Sequence, residues 1–228
     1  MGCPTKEETL TGPHSPEQPD AVVRTVEWLT KHRNQLLAGA AVIAVIVLAI
    51  WYFFAAQQRR ETVADRDLES ARMAAAAGNQ ALAASDLARL IETYGGTVAA
   101  EEGAIELARI RLTEGQPAAA MVELRKLIAS GPRSQFLAPA HGLLGAALEQ
   151  AGNYAEAAHE YLVAADAAWY DFLQAQYLLD AGHVLIGAGD TATAVATYER
   201  MIRDLAGTDE VVEARVRLAE IEAARQPS

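Results

Sequence analysis

Histidines and paired acids are the residues of this 228-residue chain whose types could do chemistry. His141, His159 and His183 could ligate a metal or carry a proton. They are well separated along the chain, without the short spacing that gathers imidazoles on a zinc ion, so they read as helix-surface or groove residues. Glu101-Glu102 and Asp209-Glu210 could form acid–base couples. Both pairs fall where helices are expected to begin, and there a carboxylate offsets the helix dipole without any catalytic role. The single cysteine, Cys3, excludes an intrachain disulfide and a cysteine zinc site. No phosphate-binding glycine loop, nucleophile elbow, Ser-x-x-Lys or HExxH motif occurs. Neither an enzyme nor a cofactor or metal is expected, and no small-molecule substrate.

Charge is more informative. The formal net charge is −11, and between Ser134 and Glu199 there is no Lys or Arg. The same stretch carries eight acids: Glu149, Glu156, Glu160, Asp166, Asp171, Asp180, Asp190 and Glu199. A negative surface is expected there, either a solvated face or a binding one. Phosphate contact needs clustered cations, so nucleic acid is disfavoured as a partner.

The elements that must position these residues follow from an internal period. Gly78, Gly115, Gly152 and Gly189 are each 37 residues apart. Five residues after each stands Ala83, Ala120, Ala157 or Ala194, and four further on Leu87, Leu124, Tyr161 or Tyr198. Three beyond that come Leu90, Leu127, Ala164 and Met201, and seven before each glycine the residue is small: Ala71, Ala108, Gly145 and Gly182. Each glycine is expected to end a helix in a left-handed cap, and the following Asn or Asp to start the next. The small residues let paired helices approach closely. Pro117 is expected in the first turn of a second helix and Pro139 in the first turn of a first helix.

Upstream, Leu36 to Ala56 is 21 residues without a charge, about 31 Å of helix and the thickness of a bilayer core. Lys31, His32 and Arg33 precede it, Arg59 and Arg60 follow, and Trp51 to Phe54 supply rings suited to an interface. The run begins too late for a cleavable signal peptide, so the anchor is expected to stay on the mature protein. Lys6 stands where a myristoylation pattern needs Ser or Thr. Within fifteen residues of the span three cations lie on each side, so charge leaves the orientation open.

The expected order is an arm at residues 1–35, disordered over Met1–Asp20, a transmembrane helix at 36–56, and a repeat domain at 57–228. That domain should hold four hairpins and a last helix, from about Asp209 to Ala224, that caps them. The fold class is all-α.

Leu144-Gly145, Leu148, Gly152-Asn153-Tyr154, Ala157, Tyr161 and Ala164 resemble the tetratricopeptide repeat. The period here is longer than that family's usual one, and the extra length per unit implies longer helices or loops, as at Gly131-Pro132 and Ala206-Gly207. The resemblance implies a right-handed α-solenoid whose first helices line a groove. Residue by residue it selects Ile105, Arg109 and Leu112, then Gly142, Ala146 and Glu149, then Leu179, His183 and Ile186. That lining implies an extended or helical peptide with apolar side chains. It lacks the Lys, Asn and Arg set with which some members clamp a C-terminal carboxylate.

Trp28, Asn34 and Gly39 entering the span, Trp51 and Tyr52 leaving it, then Tyr94-Gly95, Ala99, Ala100 and Ile105-Glu106-Leu107-Ala108 resemble a narrower group. It is the YfgM-like ancillary subunit of the bacterial SecYEG translocon, and the likeness covers most of Val22 to Ile128. It implies a single-pass protein of the bacterial inner membrane with a cytoplasmic N-terminus and periplasmic repeats. The partners it implies are translocon subunits, secreted polypeptides or periplasmic chaperones. An envelope scaffold for outer-membrane assembly or cell division would have the same sequence features.

Overall fold

The computed structural model describes residue 26 and residues 28–225, so the arm Met1–Asp20 lies outside the described residues. Among the described residues the structure is a series of α-helices without strands: α1 (Arg33–Ala76), α2 (Gln80–Tyr94), α3 (Val98–Thr113), α4 (Pro117–Ala129), α5 (Ser134–Gln150), α6 (Tyr154–Ala167), α7 (Asp171–Gly187), α8 (Thr191–Asp204) and α9 (Glu210–Arg225). The chain divides into two compact units, Met1–Ala55 and Ala56–Ser228.

In the first unit none of the apolar window of α1 is buried among the described residues. Its side chains from Val42 to Phe54 are exposed, whereas a soluble protein would bury such a run. Among the described residues α1 is the one helix long and apolar enough to cross a membrane.

The second unit is built from the 37-residue register. Gly78, Gly115, Gly152 and Gly189 all adopt positive φ, between 70° and 81°. At each, the next amide reaches back across the turn: Asn79 N–H to Ala74 O at 3.0 Å, Gln116 N–H to Arg111 O at 2.8 Å, Asn153 N–H to Leu148 O at 2.8 Å, Asp190 N–H to Leu185 O at 2.9 Å. The start signals are less uniform than expected. Asn79 Oδ1 accepts from Leu82 N–H at 3.2 Å and Asp190 Oδ1 from Thr193 N–H at 3.1 Å. Asn153 makes no such bond, and at Gln116 Pro117 takes the first helical position instead. A Cβ at Gly189 would meet nothing within 4 Å, so Gly189→Ala isolates the backbone term. It should lower stability by about 1–2 kcal/mol in urea denaturation, the penalty of a left-handed L-residue.

The small position on the first helix of a hairpin faces the large position on the second. A Cβ on Gly145 would fall within 3.0 Å of the Tyr161 ring, and one on Gly182 within 3.0 Å of Tyr198. Glycine here is the space an aromatic ring of the second helix occupies. The rest is aliphatic packing in two clusters: Ala64, Leu68, Ala71, Leu87 and Leu90 belong to one, and Leu124, Leu148, Leu178 and Met201 to the other.

Carboxylates of one hairpin cap helices of the next. Glu61 Oε2 accepts from Val98 N–H at 3.1 Å at the start of α3. Glu101 accepts from Arg133 N–H at 3.1 Å and from its guanidinium at 2.8 Å, holding the start of α5. This moves α5 earlier than the sequence suggests. The helix begins at Ser134, and Pro139 lies inside it rather than in its first turn. Its ring gives up one helical hydrogen bond near the N-terminus while keeping a helical φ, and the Glu101 anchor holds the preceding turn.

Candidate functional site: the face shared by α3, α5, α7 and α9

Positions three apart lie side by side on a helix, so Tyr177, Asp180 and His183 form one strip of α7. Gly142 of α5 makes room for the Tyr177 ring, since a Cβ there would fall within 3.0 Å of it. Next on α5 is Glu149, the centre of a small polar network. Tyr161 of α6 donates its hydroxyl to Glu149 Oε2 at 2.9 Å, and His183 Nε2 lies 3.9 Å from Glu149 Oε1. On α9, Arg217 pairs with Glu213 at 3.1 Å and with Glu220 at 3.2 Å.

The electrostatics tie these helices together. Burial pushes the Asp180 carboxyl up to about 6, with Glu149 and Glu213 adding to the rise, while a hydrogen bond from Gln176 Nε2 at 3.0 Å and the nearby His183 oppose it. Burial also raises the Tyr161 hydroxyl, and the Glu149 charge adds to this. Tyr177 is raised by burial and by Asp180, against the pull of Arg109 on α3. Carboxylates, phenols and one imidazole thus converge on a partly solvated surface. Such a set can accept hydrogen bonds from, and attract, a polar or cationic segment of a ligand.

Of the groove residues the sequence selects, the structure brings Arg109, Gly142, Glu149 and His183 into this cluster. Ile105 and Leu112 are instead buried, with 6% and 9% of their surface exposed, and belong to the core between hairpins. Ala146 and Leu179 are half-buried against that core, and Ile186 is exposed. The lining is therefore more polar than the sequence reading supposes. Tyr177, Asp180, Tyr161 and Glu213 complete the cluster without having been selected. The regular spacing of Tyr177 and Asp180 with His183 hints at those two in the sequence, and Tyr161 stands at a repeat position.

The histidines do not converge. His141 Nδ1 lies 2.6 Å from Glu160 Oε2, His159 is exposed, and His183 sits beside Glu149. Among the described residues no group of three or more His, Cys, Asp or Glu side chains could hold a metal ion. Two of the eight acids between Ser134 and Glu199 are answered by arginines of neighbouring hairpins. Arg200 holds Asp166 at 2.7 Å, and Arg125 approaches Glu156 at 3.6 Å. Arg72 likewise pairs with Glu102, and with Glu106 at 3.3 Å. Among the described residues Glu149, Glu160, Asp171, Asp180, Asp190 and Glu199 pair with no Lys or Arg.

Comparison with known proteins gives a consistent picture of the fold. A family model described as a tetratricopeptide repeat-like domain matches residues 27–225. Among solved structures, a tetratricopeptide repeat protein from Parabacteroides merdae is similar with a TM-score of 0.58 at 10% identity, covering 71% of this chain. This chain spans 60% of that protein's length. MamA is similar with a TM-score of 0.51 at 17% identity, over 68% of this chain and 95% of its own. No curated protein matches.

Proposed function

Because this chain belongs to the tetratricopeptide repeat-like domain family, whose stacked hairpins serve as protein–protein interaction modules, we propose that it is a membrane-anchored adaptor gripping a polypeptide on the face shared by α3, α5, α7 and α9. The observation that carries this reading is the cluster of Glu149, Tyr177, Asp180 and His183, polar groups held at the surface by packing that leaves them partly solvated. Arg109, with the half-buried Leu179 and the exposed Ile186 of α7, would give a ligand both charge and apolar contact. The partly buried carboxylates favour a segment with Lys or Arg, in addition to the apolar side chains expected from sequence.

The finer reading rests on resemblance. In it the repeats are periplasmic, the N-terminus cytoplasmic and α1 spans the bacterial inner membrane from Leu36 to Ala56. The protein is a YfgM-like ancillary subunit of the SecYEG translocon that passes secreted polypeptides to periplasmic chaperones. The exposed apolar length of α1 supports the anchor.

A photocrosslinker at His183 or Leu179 tests the partner. Adducts with translocon subunits, secretory chains or periplasmic chaperones are expected. Adducts confined to outer-membrane assembly or cell-division proteins would replace the translocon reading by an envelope scaffold. A reporter fused after Ser228 should read periplasmic, and a cytoplasmic signal would overturn both.

A further inference from the structure

In the second unit Tyr161 and Tyr198 are buried, 5% and 1% exposed, and Tyr94, Phe136 and Tyr177 are half-buried. The connection between α6 and α7 differs. Trp169, Tyr170 and Phe172 stand 64%, 60% and 55% exposed within four positions, and the last two stack with ring centroids 5.7 Å apart. Loops are the segments where polar residues are cheapest, so three large rings there form an apolar patch of the kind that marks an interface. Trp and Tyr in particular supply contact area with little entropy to lose.

These rings form one wall of an open cleft of about 650 Å³ whose other wall is the α8–α9 connection. Asp171, Asp204, Asp209 and Glu210 border it, and no Lys, Arg or His does. Asp204 is paired with Arg203 at 2.9 Å, and among the described residues no cation pairs with the other three. Asp171 and Glu210 stand in the first turns of α7 and α9, where the helix dipole favours a carboxylate, yet their side chains still line the cleft.

We propose that this cleft is a second docking site, for a polypeptide segment that places an apolar side chain against Trp169 and Tyr170 and a Lys or Arg against Asp209 and Glu210. An anionic bilayer surface would also take exposed rings, but it repels the carboxylates around them, whereas a cationic peptide is attracted. The site is independent of the face described above, since it is built from inter-hairpin connections and the first turns of α7 and α9.

Trp28, Trp51 and Trp169 are the only tryptophans. In a full-length Trp28→Phe/Trp51→Phe chain in detergent, emission excited at the tryptophan edge therefore reports the cleft and is silent to binding elsewhere. Titration with the pentapeptide KLFKK should shift Trp169 emission saturably, and ELFEE should bind at least about tenfold more weakly, a difference of about 1.4 kcal/mol. Phe172→Ala should weaken KLFKK about tenfold, and Asp209→Asn/Glu210→Gln by several-fold with a flatter salt dependence. All three side chains are at or near the surface, so circular dichroism should report unchanged folding. No response to KLFKK, equal binding of the two peptides, or indifference to both variants would overturn the proposal. So would quenching of Trp169 by brominated phosphatidylglycerol after reconstitution, which would assign the rings to lipid.

Discussion

Gly182→Ala should lower the stability of the repeat domain by about 1–3 kcal/mol, while Gly142→Ala, with an equally close aromatic neighbour, should be near neutral. In both places a Cβ would fall within 3.0 Å of a tyrosine ring. The rings differ in freedom. Tyr198 is 1% exposed and locked among core side chains, so the added methyl forces α7 and α8 apart. Tyr177 is only half-buried and can swing outward. Alanine also gains roughly 1 kcal/mol of helix propensity over glycine, which offsets part of the first effect and most of the second. Thermal unfolding followed by circular dichroism should show Gly182→Ala melting about 2–10 °C lower. Equal melting of the two variants would contradict the packing. At Gly142 the consequence is local: a displaced Tyr177 leaves Asp180 more solvated, so its carboxyl should move back toward the ordinary range.

Asp180→Asn should stabilise the chain at pH 8 and not at pH 4. The folded carboxyl sits at about 6 against an ordinary value of 3.8. Between those values the folded state binds more protons than the unfolded one, so wild-type stability falls as pH rises through this window. At about 1.36 kcal/mol per unit the shift caps the loss near 3 kcal/mol, and partial solvent exposure of the carboxyl brings the expected figure to about 1–2 kcal/mol. Asparagine carries no charge to desolvate and keeps an oxygen for the Gln176 donor. Urea unfolding of wild type and variant at pH 4, 6 and 8 gives the difference directly. A gain of the same size at every pH would mean that Asp180 is not the titrating group. If a cationic ligand segment docks here, it should bind wild type more tightly above pH 6 than below, and the variant should show a smaller difference because the Asp180 charge is gone.

Much of the fold was legible because it depends on single residues acting locally. The glycines at 37-residue spacing needed only their own backbone freedom to be read as left-handed turns, and all four adopt them. The alternation of small positions on first helices with large ones on second helices was visible as a pattern, and Gly145 with Tyr161 and Gly182 with Tyr198 show what it means. The all-α repeat and the long apolar helix followed from period and run length alone. Pro139 was misplaced because the start of α5 is held from another hairpin, by Glu101 on Arg133, and no signal near Pro139 records that.

The candidate site was less legible. Arg109, Glu149 and His183 could be selected by their register, but the same register also picked Ile105 and Leu112, which the stacking of hairpins turns into the core. The acidic stretch after Ser134 could be counted in sequence, whereas its partial neutralisation by Arg125 and Arg200 could not, since those cations come from flanking units. By itself, then, the sequence determined the helices, their turns and the apolar length of α1, because these follow from φ preferences and hydrophobic runs within a few residues. Only the tertiary structure decided which carboxylates remain unpaired, that Asp180 is buried enough to titrate near 6, and that the α6–α7 rings face an acidic cleft. Those properties depend on distances between side chains many residues apart, which the angle between packed hairpins sets.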